Sequence, residues 1–239
     1  MRSYDEQIGI DLIKWKRKMQ KRPNIIEKSS KGVQTKINGM LPEKYHEILT
    51  VAIKGMTEAV LLGSQYTTKM PRINLSLEQR DVLVMELVKK YKRIAMVEGA
   101  GTGAGGIILG LADFPILLSI KMKLLYEIAA IYGFDTSNYK ERIYILTIFE
   151  LAFSGQGHTG EIFERLDKWD TYKQTLSQDI RTFDWRTFQQ EYRDYLDLAK
   201  LMQMLPVVGA PIGAYVNRKL VDKLSKTAIQ AYHMRWILK

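Results

Sequence analysis

The stretch from residue 96 to residue 120, MVEGAGTGAGGIILGLADFPILLSI, constrains the fold more than any other part of this sequence. It carries no charge between Glu98 and Asp113, and six glycines lie there among small and branched apolar residues. Glycine at this density either lets the backbone adopt positive φ values or lets two helices approach closely. Two glycine pairs have the four-residue spacing used in close helix packing: Gly99/Gly103 and Gly106/Gly110. We expect residues 97–132 to form an apolar segment that packs against other helices or against an apolar partner surface.

The end of this stretch predicts a helix with defined limits. Asp113 is a favoured N-cap residue and Pro115 is tolerated in the first helical turn, so a helix should begin here. It should extend to about Tyr132, because Gly133 stands where a C-terminal glycine cap is expected. Since Asp113 lies between two apolar runs, it is also a candidate buried acid that contacts a partner arginine.

A shorter segment of the same kind, residues 205–236, lies near the C-terminus. It begins LPVVGAPIGA, with Gly209 and Gly213 again four residues apart, and a helix from Tyr215 to about Trp236 should follow. Both uncharged runs are shorter than the roughly 20 apolar residues that a membrane-spanning helix needs. We therefore expect these segments to be buried in the protein or to lie at a membrane interface.

Positive charge is concentrated at the two ends of the chain. Residues 1–98 have a net charge of +8 and residues 205–239 of +5, whereas residues 99–204 have −3. Basic ends favour an anionic partner, namely lipid headgroups, nucleic acid or an acidic protein face. The alternative is that the ends only neutralise the acidic middle of the same chain.

The first helix, expected over residues 4–22, combines an apolar stripe with a basic C-terminal half. The stripe recurs at three- and four-residue steps: Tyr4, Ile8, Leu12, Trp15 and Met19. Lys16, Arg17 and Lys18 follow the tryptophan. Basic amphipathic helices with such an aromatic edge are typical of membrane-surface anchors, although the pattern also fits a helix docked on its own domain. The last helix carries further cations that we expect to join it in one basic surface: Arg218, Lys219, Lys223, Lys226 and Arg235.

The rest of the chain shows helical periodicity and capping signals, with no alternating β pattern. Ser76 with Gln79 is a capping-box signature, and Asn138 with Glu141 marks another helix start. Further helical pieces are expected over residues 159–174 and 184–205. The sequence therefore predicts one all-α domain, residues 1–239, built as a bundle of seven to nine helices with two glycine-rich apolar segments. In the helix after Gln79 the predicted buried face is Val82, Leu83, Leu87, Val88, Tyr91 and Ile94, and Glu98 is expected to pair with Lys92 or Arg93.

No residue pattern indicates a catalytic, metal or cofactor site. Cysteine is absent, and the three histidines, at positions 46, 158 and 233, lack metal-binding spacing. Residues 101–106 match a dinucleotide fingerprint by letters, but no βαβ unit surrounds them and no P-loop lysine follows. We predict no cofactor and no enzymatic activity.

Five motifs together resemble the EcsC family, over nearly the whole chain. They are LPEK at residues 41–44, GAGTGAGG at 99–106, ADFP at 112–115, IYGFD at 131–135 and LPVVGAPIGAYVN at 205–217. The resemblance implies a bacterial protein linked to the Ecs-type ABC transporter, beside its ATPase and its membrane subunit. It implies no established activity and no catalytic residues.

These features favour a non-enzymatic, membrane-associated accessory protein that is cytoplasmic and peripheral on the inner face of the cell membrane. Its partners would be ABC transporter subunits and an anionic membrane surface. The alternatives are a soluble helical domain with a small-molecule or enzymatic role, and a nucleic-acid-binding protein, which only the pI of about 9.5 favours. The candidate contact residues are Trp15, Lys16, Arg17, Lys18, Gly99, Gly103, Gly106, Gly110, Asp113, Gly209 and Gly213.

Overall fold

The computed structural model describes residues 3–20, 43–62, 71–104, 114–155, 157–177 and 210–237. This part of the chain forms eight helices and no strand, which confirms the all-α prediction. The helices are α1 (Tyr4–Gln20), α2 (Glu43–Leu62), α3 (Leu77–Ala104), α4 (Phe114–Tyr132), α5 (Tyr139–Phe153), α6 (Thr159–Asp167), α7 (Trp169–Thr175) and α8 (Ala210–Ile237).

The two longest helices, α3 and α8, form an antiparallel pair. Lys92 of α3 contacts Asp222 of α8, and eleven residues along each helix Asp81 contacts His233. Both helices have 28 residues, so each is about 40 Å long. This register places the C-terminal end of α3 beside the N-terminal end of α8.

Helix α4 packs against both members of this pair. It is antiparallel to α3, because Glu127 accepts a hydrogen bond from Tyr91 while Tyr132 contacts Asp81. The start of α4 therefore lies beside the end of α3 and the start of α8. We call this region, residues 96–104, 114–116 and 210–215, the glycine end. The opposite end of the three helices, where α3 begins and α4 and α8 finish, is called the far end.

The core lies between α4, α5 and α8. Every residue of α5 from Glu141 to Phe153 is buried, so this helix has no solvent-exposed face. It is antiparallel to α8: the Tyr144 hydroxyl donates to the Ala231 carbonyl at 2.8 Å. The Tyr126 hydroxyl of α4 donates to the Val60 carbonyl and so ties α2 to the same core.

Helix α1 lies across the far end. The Tyr4 hydroxyl donates to Asp81 near the start of α3, and Gly9 lies beside Ile237 at the end of α8. Trp15 packs edge-on against Phe163 of α6, with ring centroids 5.3 Å apart. The N-terminal helix is therefore docked on the domain through its apolar stripe.

Local capping signals located several helix limits correctly. The Ser76 hydroxyl accepts the Gln79 N–H while Gln79 Oε1 accepts the Ser76 N–H, which is the predicted capping box. Gly133, with φ +90°, ends α4 as predicted. Its N–H reaches the Ala130 carbonyl and the Phe134 N–H reaches the Ala129 carbonyl, the pair of bonds of a Schellman motif.

Other limits differ from the sequence-based expectations. Helix α3 continues through the first glycines to Ala104, and α8 begins at Ala210 rather than at Tyr215. The single piece expected over residues 159–174 is two helices, because the chain turns at Lys168. Val82 was expected in the core but is 55% exposed. The helix expected over residues 184–205 lies outside the described residues.

Candidate functional site

The glycine end exposes large apolar side chains. Val97 of α3 is 74% exposed, Ile116 of α4 is 55% exposed, and Tyr215 of α8 is 56% exposed. Met96 lies beside Val97 and is also exposed. Because the α3–α4–α8 register brings these residues to the same end of the bundle, we call them together the apolar tip. Exposed apolar groups at one end of a helical bundle favour a surface for a partner or a membrane.

A band of exposed cations adjoins the apolar tip on the same three helices. We call it the basic collar: Lys89, Lys90 and Arg93 of α3, Lys123 of α4, and Arg218, Lys219, Lys223 and Lys226 of α8. The α3–α8 register places these residues within about 12 Å along the bundle axis. The carboxylates of these helices near this level are those of Glu98, Glu127 and Asp222, which are partly exposed, and that of Glu86, which is exposed three residues before Lys89.

The Asp222 and Glu127 carboxylates have hydrogen-bonding or ion-pair partners inside the bundle. Asp222 pairs with Lys92 and, at 2.7 Å, with Lys226, while Glu127 accepts a hydrogen bond from Tyr91. Lys92 therefore pairs with Asp222, rather than with Glu98 as its sequence proximity suggested. The outer surface of the collar is consequently positive and suited to an anionic partner.

A buried lysine lies beneath the apolar tip. Lys121 of α4 is 1% exposed, and its Nζ lies 3.4 Å from the Leu117 carbonyl oxygen and 3.5 Å from Oδ1 of Asn217, which is also buried. Burial lowers the pKa of Lys121 to about 8, although the Glu98 carboxylate acts in the opposite direction. A charge is thus held in the apolar interior at the level of the collar.

The far end contains a polar cluster around Asp81. Its carboxylate accepts hydrogen bonds from the Tyr4 and Tyr132 hydroxyls, and Nε2 of His233 lies 2.9 and 3.0 Å from its two oxygens. Burial opposes ionisation of Asp81, but these hydrogen bonds outweigh it and hold the pKa of the carboxyl below its usual value. The cluster joins α1, α3, α4 and α8, so its evident role is structural.

A second buried ion pair joins α5 to α8. Arg235 Nη1 donates to Glu141 at 2.9 and 2.6 Å, and the Tyr232 hydroxyl donates to the same carboxylate at 3.0 Å. The Arg235 guanidinium lies 3.7 Å from the Phe134 ring centroid. Arg235 was expected on the basic surface and is instead held inside the far end.

These contacts give the IYGFD motif a structural explanation. Tyr132 contacts Asp81, Gly133 caps α4, and Phe134 stacks on Tyr232 with ring centroids 5.2 Å apart. Asp135 accepts hydrogen bonds from the backbone and the hydroxyl of Ser137 and so fixes the following turn.

Comparison with known proteins now assigns the family. The sequence profile of the EcsC protein family matches residues 6–237. The chain belongs to the EcsC protein family. It is 44% identical over 230 residues to Protein EcsC of Bacillus subtilis (strain 168), which covers 96% of this chain and 94% of that protein. It is 30% identical over 218 residues to YdbA of the same organism, with coverages of 90% and 76%. No solved structure matches the chain.

The structure separates the contact residues predicted for this EcsC-family protein into two groups. Gly99 and Gly103 lie in the last turns of α3 and Gly213 lies in the first turn of α8, so these three lie at the glycine end. The α1 residues lie on the other side of the bundle: Trp15, Lys16, Arg17 and Lys18. Gly106, Gly110, Asp113 and Gly209 lie outside the described residues.

The basic surface is therefore not the one expected. Trp15 is packed on Phe163, and Lys16 pairs with Asp167 at 2.5 Å. Because α1 lies at the far end, its cations and those of the collar do not form one surface. Sequence reasoning also missed Lys121, although the spacing of Leu117, Lys121 and Leu125 places this lysine on the apolar face of its helix.

Within the described residues, no helix is both long and apolar enough to cross a membrane. In the same part of the chain, no histidine, aspartate and glutamate side chains are grouped in a way that would hold a metal ion.

Proposed function

We propose that this EcsC-family protein is a non-enzymatic accessory protein that binds the inner face of the cell membrane through its glycine end. There it would act with an Ecs-type ABC transporter. The observation that carries the proposal is the apolar tip, with Val97, Ile116 and Tyr215 exposed, directly beside the basic collar.

The dimensions of this surface match an interfacial contact. From Val97 to the end of α3 at Ala104 the helix extends about 10 Å. Apolar groups of peripheral proteins enter the boundary between headgroups and acyl chains by about 5–10 Å. The collar would then lie at the headgroups, where each lysine or arginine near an anionic surface contributes about 1 kcal/mol.

The membrane contact is tested by sedimentation with vesicles of phosphatidylcholine alone or mixed with phosphatidylglycerol. We expect binding to the anionic vesicles that weakens as salt is raised. The double substitution Arg218→Glu and Lys219→Glu should weaken binding at least about tenfold, since it reverses two collar charges. Lys168→Glu is the control, because Lys168 is an exposed lysine beside Trp169, which packs on Tyr144 toward the far end.

A second set of variants distinguishes lipid binding by the collar from lipid binding by α1. If the collar binds lipid, Lys14→Glu with Lys18→Glu, two exposed lysines of α1, should leave vesicle binding nearly unchanged. Loss of binding in this variant, with the collar variant unaffected, would move the membrane contact to α1. No binding to either vesicle would refute the membrane proposal, and a salt-sensitive gel shift with nucleic acid would then support the nucleic-acid alternative.

The transporter link rests on family membership and needs its own test. Affinity purification of a tagged Ecs-type transporter from detergent-solubilised membranes should recover the protein with the ATPase and the membrane subunit. Recovery in the membrane fraction without co-purification would leave the lipid contact standing and remove the transporter from the proposal.

A further inference from the structure

Helix α1 has a second stripe of residues, two isoleucines among charged and polar side chains, which faces away from the core and is called the outward stripe. Its residues alternate in steps of four and three along the helix: Glu6, Ile10, Ile13, Arg17 and Gln20. Ile13 is 52% exposed. With Gly9 and Ile237 these side chains line an open groove of about 740 Å³. Leu12 and Lys16 line the same groove, whereas Ile8, Trp15 and Met19 pack on the core. The groove therefore follows the outward side of the helix and reaches the core at Leu12 and Ile237.

The outward stripe is complementary to itself. An acid stands at its N-terminal end, a cation at its C-terminal end, and two isoleucines between them. When a second copy of the helix is placed antiparallel on the first, Glu6 faces Arg17 of the second copy and Ile10 faces Ile13 of the second copy. A parallel arrangement would instead bring like charges together. Steps of four and three residues are also those by which two helices pack with a shallow crossing angle.

We propose that the outward stripe of α1 is a dimer interface, through which two copies of this chain associate by an antiparallel, two-fold symmetric pairing. In such an interface the same patch serves both subunits, so a self-complementary charge pattern is required. The groove is then filled by Ile10 and Ile13 of the second copy.

Contacts with neighbouring residues set the positions of the charged groups in the outward stripe. The Glu6 side chain is positioned by a capping box, in which Oε2 accepts the Ser3 N–H at 3.0 Å and the Ser3 hydroxyl accepts the Glu6 N–H at 3.3 Å. Lys16 is engaged by Asp167, so Arg17 is the cation that projects at the end of the stripe.

The size of the interface predicts a modest affinity. A helix of 17 residues is about 25 Å long, so the pairing of two such helices buries less than the about 800 Å² per partner of a standard interface. We expect a dissociation constant in the micromolar range. Because α1 lies at the far end, the dimer would leave both apolar tips and both collars accessible. The inference is independent of the proposed function.

Sedimentation equilibrium of the full chain, without lipid, tests the dimer. The wild-type chain should approach twice its 27.6 kDa mass as its concentration rises. Arg17→Glu should raise the dissociation constant at least about tenfold, because it opposes Glu6 of the second copy. Lys18→Glu makes the same charge change one residue off the stripe and should have little effect. Ile13→Glu should also give a monomer, and circular dichroism checks that each variant is folded.

A charge exchange tests the direction of pairing. Glu6→Arg combined with Arg17→Glu in one chain restores every opposite-charge contact of an antiparallel pair, so the dimer should return. A double variant that stays monomeric while folded would overturn the antiparallel arrangement. A wild-type chain that remains monomeric at about 100 µM would overturn the dimer itself, and amide protection of α1 in that monomer would show that another part of the same chain fills the groove. Equal weakening by Arg17→Glu and Lys18→Glu would also count against the interface.

Discussion

Lys121 and Asn217 face each other inside the bundle, with Nζ 3.5 Å from Oδ1 and neither residue more than 1% exposed. The contact joins α4 to α8 at the level of the basic collar. Both hydrogen bonds of the ammonium are long, since the one to the Leu117 carbonyl oxygen is 3.4 Å. A buried charge with such weak hydrogen bonds costs stability, so this lysine is not explained by the stability of the fold.

The Lys121 ammonium should make stability depend on pH in a defined window. Burial lowers its pKa from 10.5 in the unfolded chain to about 8 in the folded one. Between these values the unfolded state binds more protons, so the free energy of unfolding should rise with pH. The full effect is on the order of 3 kcal/mol. Below pH 8 the penalty of the buried charge is present in full.

Urea denaturation of wild type and Lys121→Met at pH 7.5 and pH 9.5 measures this effect. The methionine variant should be more stable at pH 7.5, because a side chain of similar length replaces a buried charge. The difference between the two proteins should shrink at pH 9.5. Comparing them at each pH cancels the contribution of other groups. Parallel pH profiles would show that Lys121 does not titrate in this range.

Several helix limits of this chain were predictable from the sequence, because capping contacts between neighbouring residues set them. The Ser76–Gln79 capping box and the Gly133 cap each involve residues within a few positions of one another. The extension of α3 to Ala104 was not predictable in this way. Glycine lowers intrinsic helix propensity, and only packing of the helix as a whole offsets that cost.

The ion pairs were not predictable, since they depend on the helix register. Arg235 meets Glu141, which is 94 positions earlier in the chain, and Lys92 meets Asp222, which is 130 positions later. The sequence placed Arg235 and Lys16 on a basic surface, while the structure holds both against carboxylates of other helices. The two apolar segments of the glycine end were predicted from the sequence. That they lie at the same end of the bundle follows only from the α3–α8 register.

Removing Arg235 should strongly destabilise the fold. Glu141 is buried, and without the guanidinium its carboxylate would keep the hydrogen bond from the Tyr232 hydroxyl but lose its ion pair. Breaking a buried pair from one side typically costs about 3–5 kcal/mol. Arg235→Met should lower the free energy of unfolding by that order in urea denaturation.

A double variant distinguishes the cost of the unpaired Glu141 carboxylate from the loss of the other contacts of Arg235. Glu141→Leu with Arg235→Met removes both charges, so most of the lost stability should return. If the double variant is as unstable as Arg235→Met alone, the loss comes from the contact of Arg235 with the Phe134 and Tyr144 rings rather than from an unpaired carboxylate.

Gly133→Ala should destabilise the protein through the backbone. The residue has φ +90°, and an added Cβ would lie 3.2 Å from both the Arg72 carbonyl oxygen and Arg80 Nη1. We expect a loss of about 1–2 kcal/mol or more, seen as a lower melting temperature. Gly160→Ala is the control, since a Cβ there meets nothing within 4 Å and the residue lies in helix α6. An unchanged melting temperature for Gly133→Ala would mean that the turn can rearrange.

Two valines on α3 provide a matched test of the apolar tip. Val97 is 74% exposed near the glycine end and Val82 is 55% exposed near the far end, so neither contributes much to the core. Val97→Asp should weaken binding to anionic vesicles about tenfold or more, because it puts a carboxylate where the apolar tip meets lipid. Val82→Asp adds the same charge to the same helix, about 22 Å away along its axis, and should leave vesicle binding nearly unchanged. Melting temperatures close to wild type in both variants would attribute the difference to the surface, and equal losses in vesicle binding would show that α3 has no lipid-facing end.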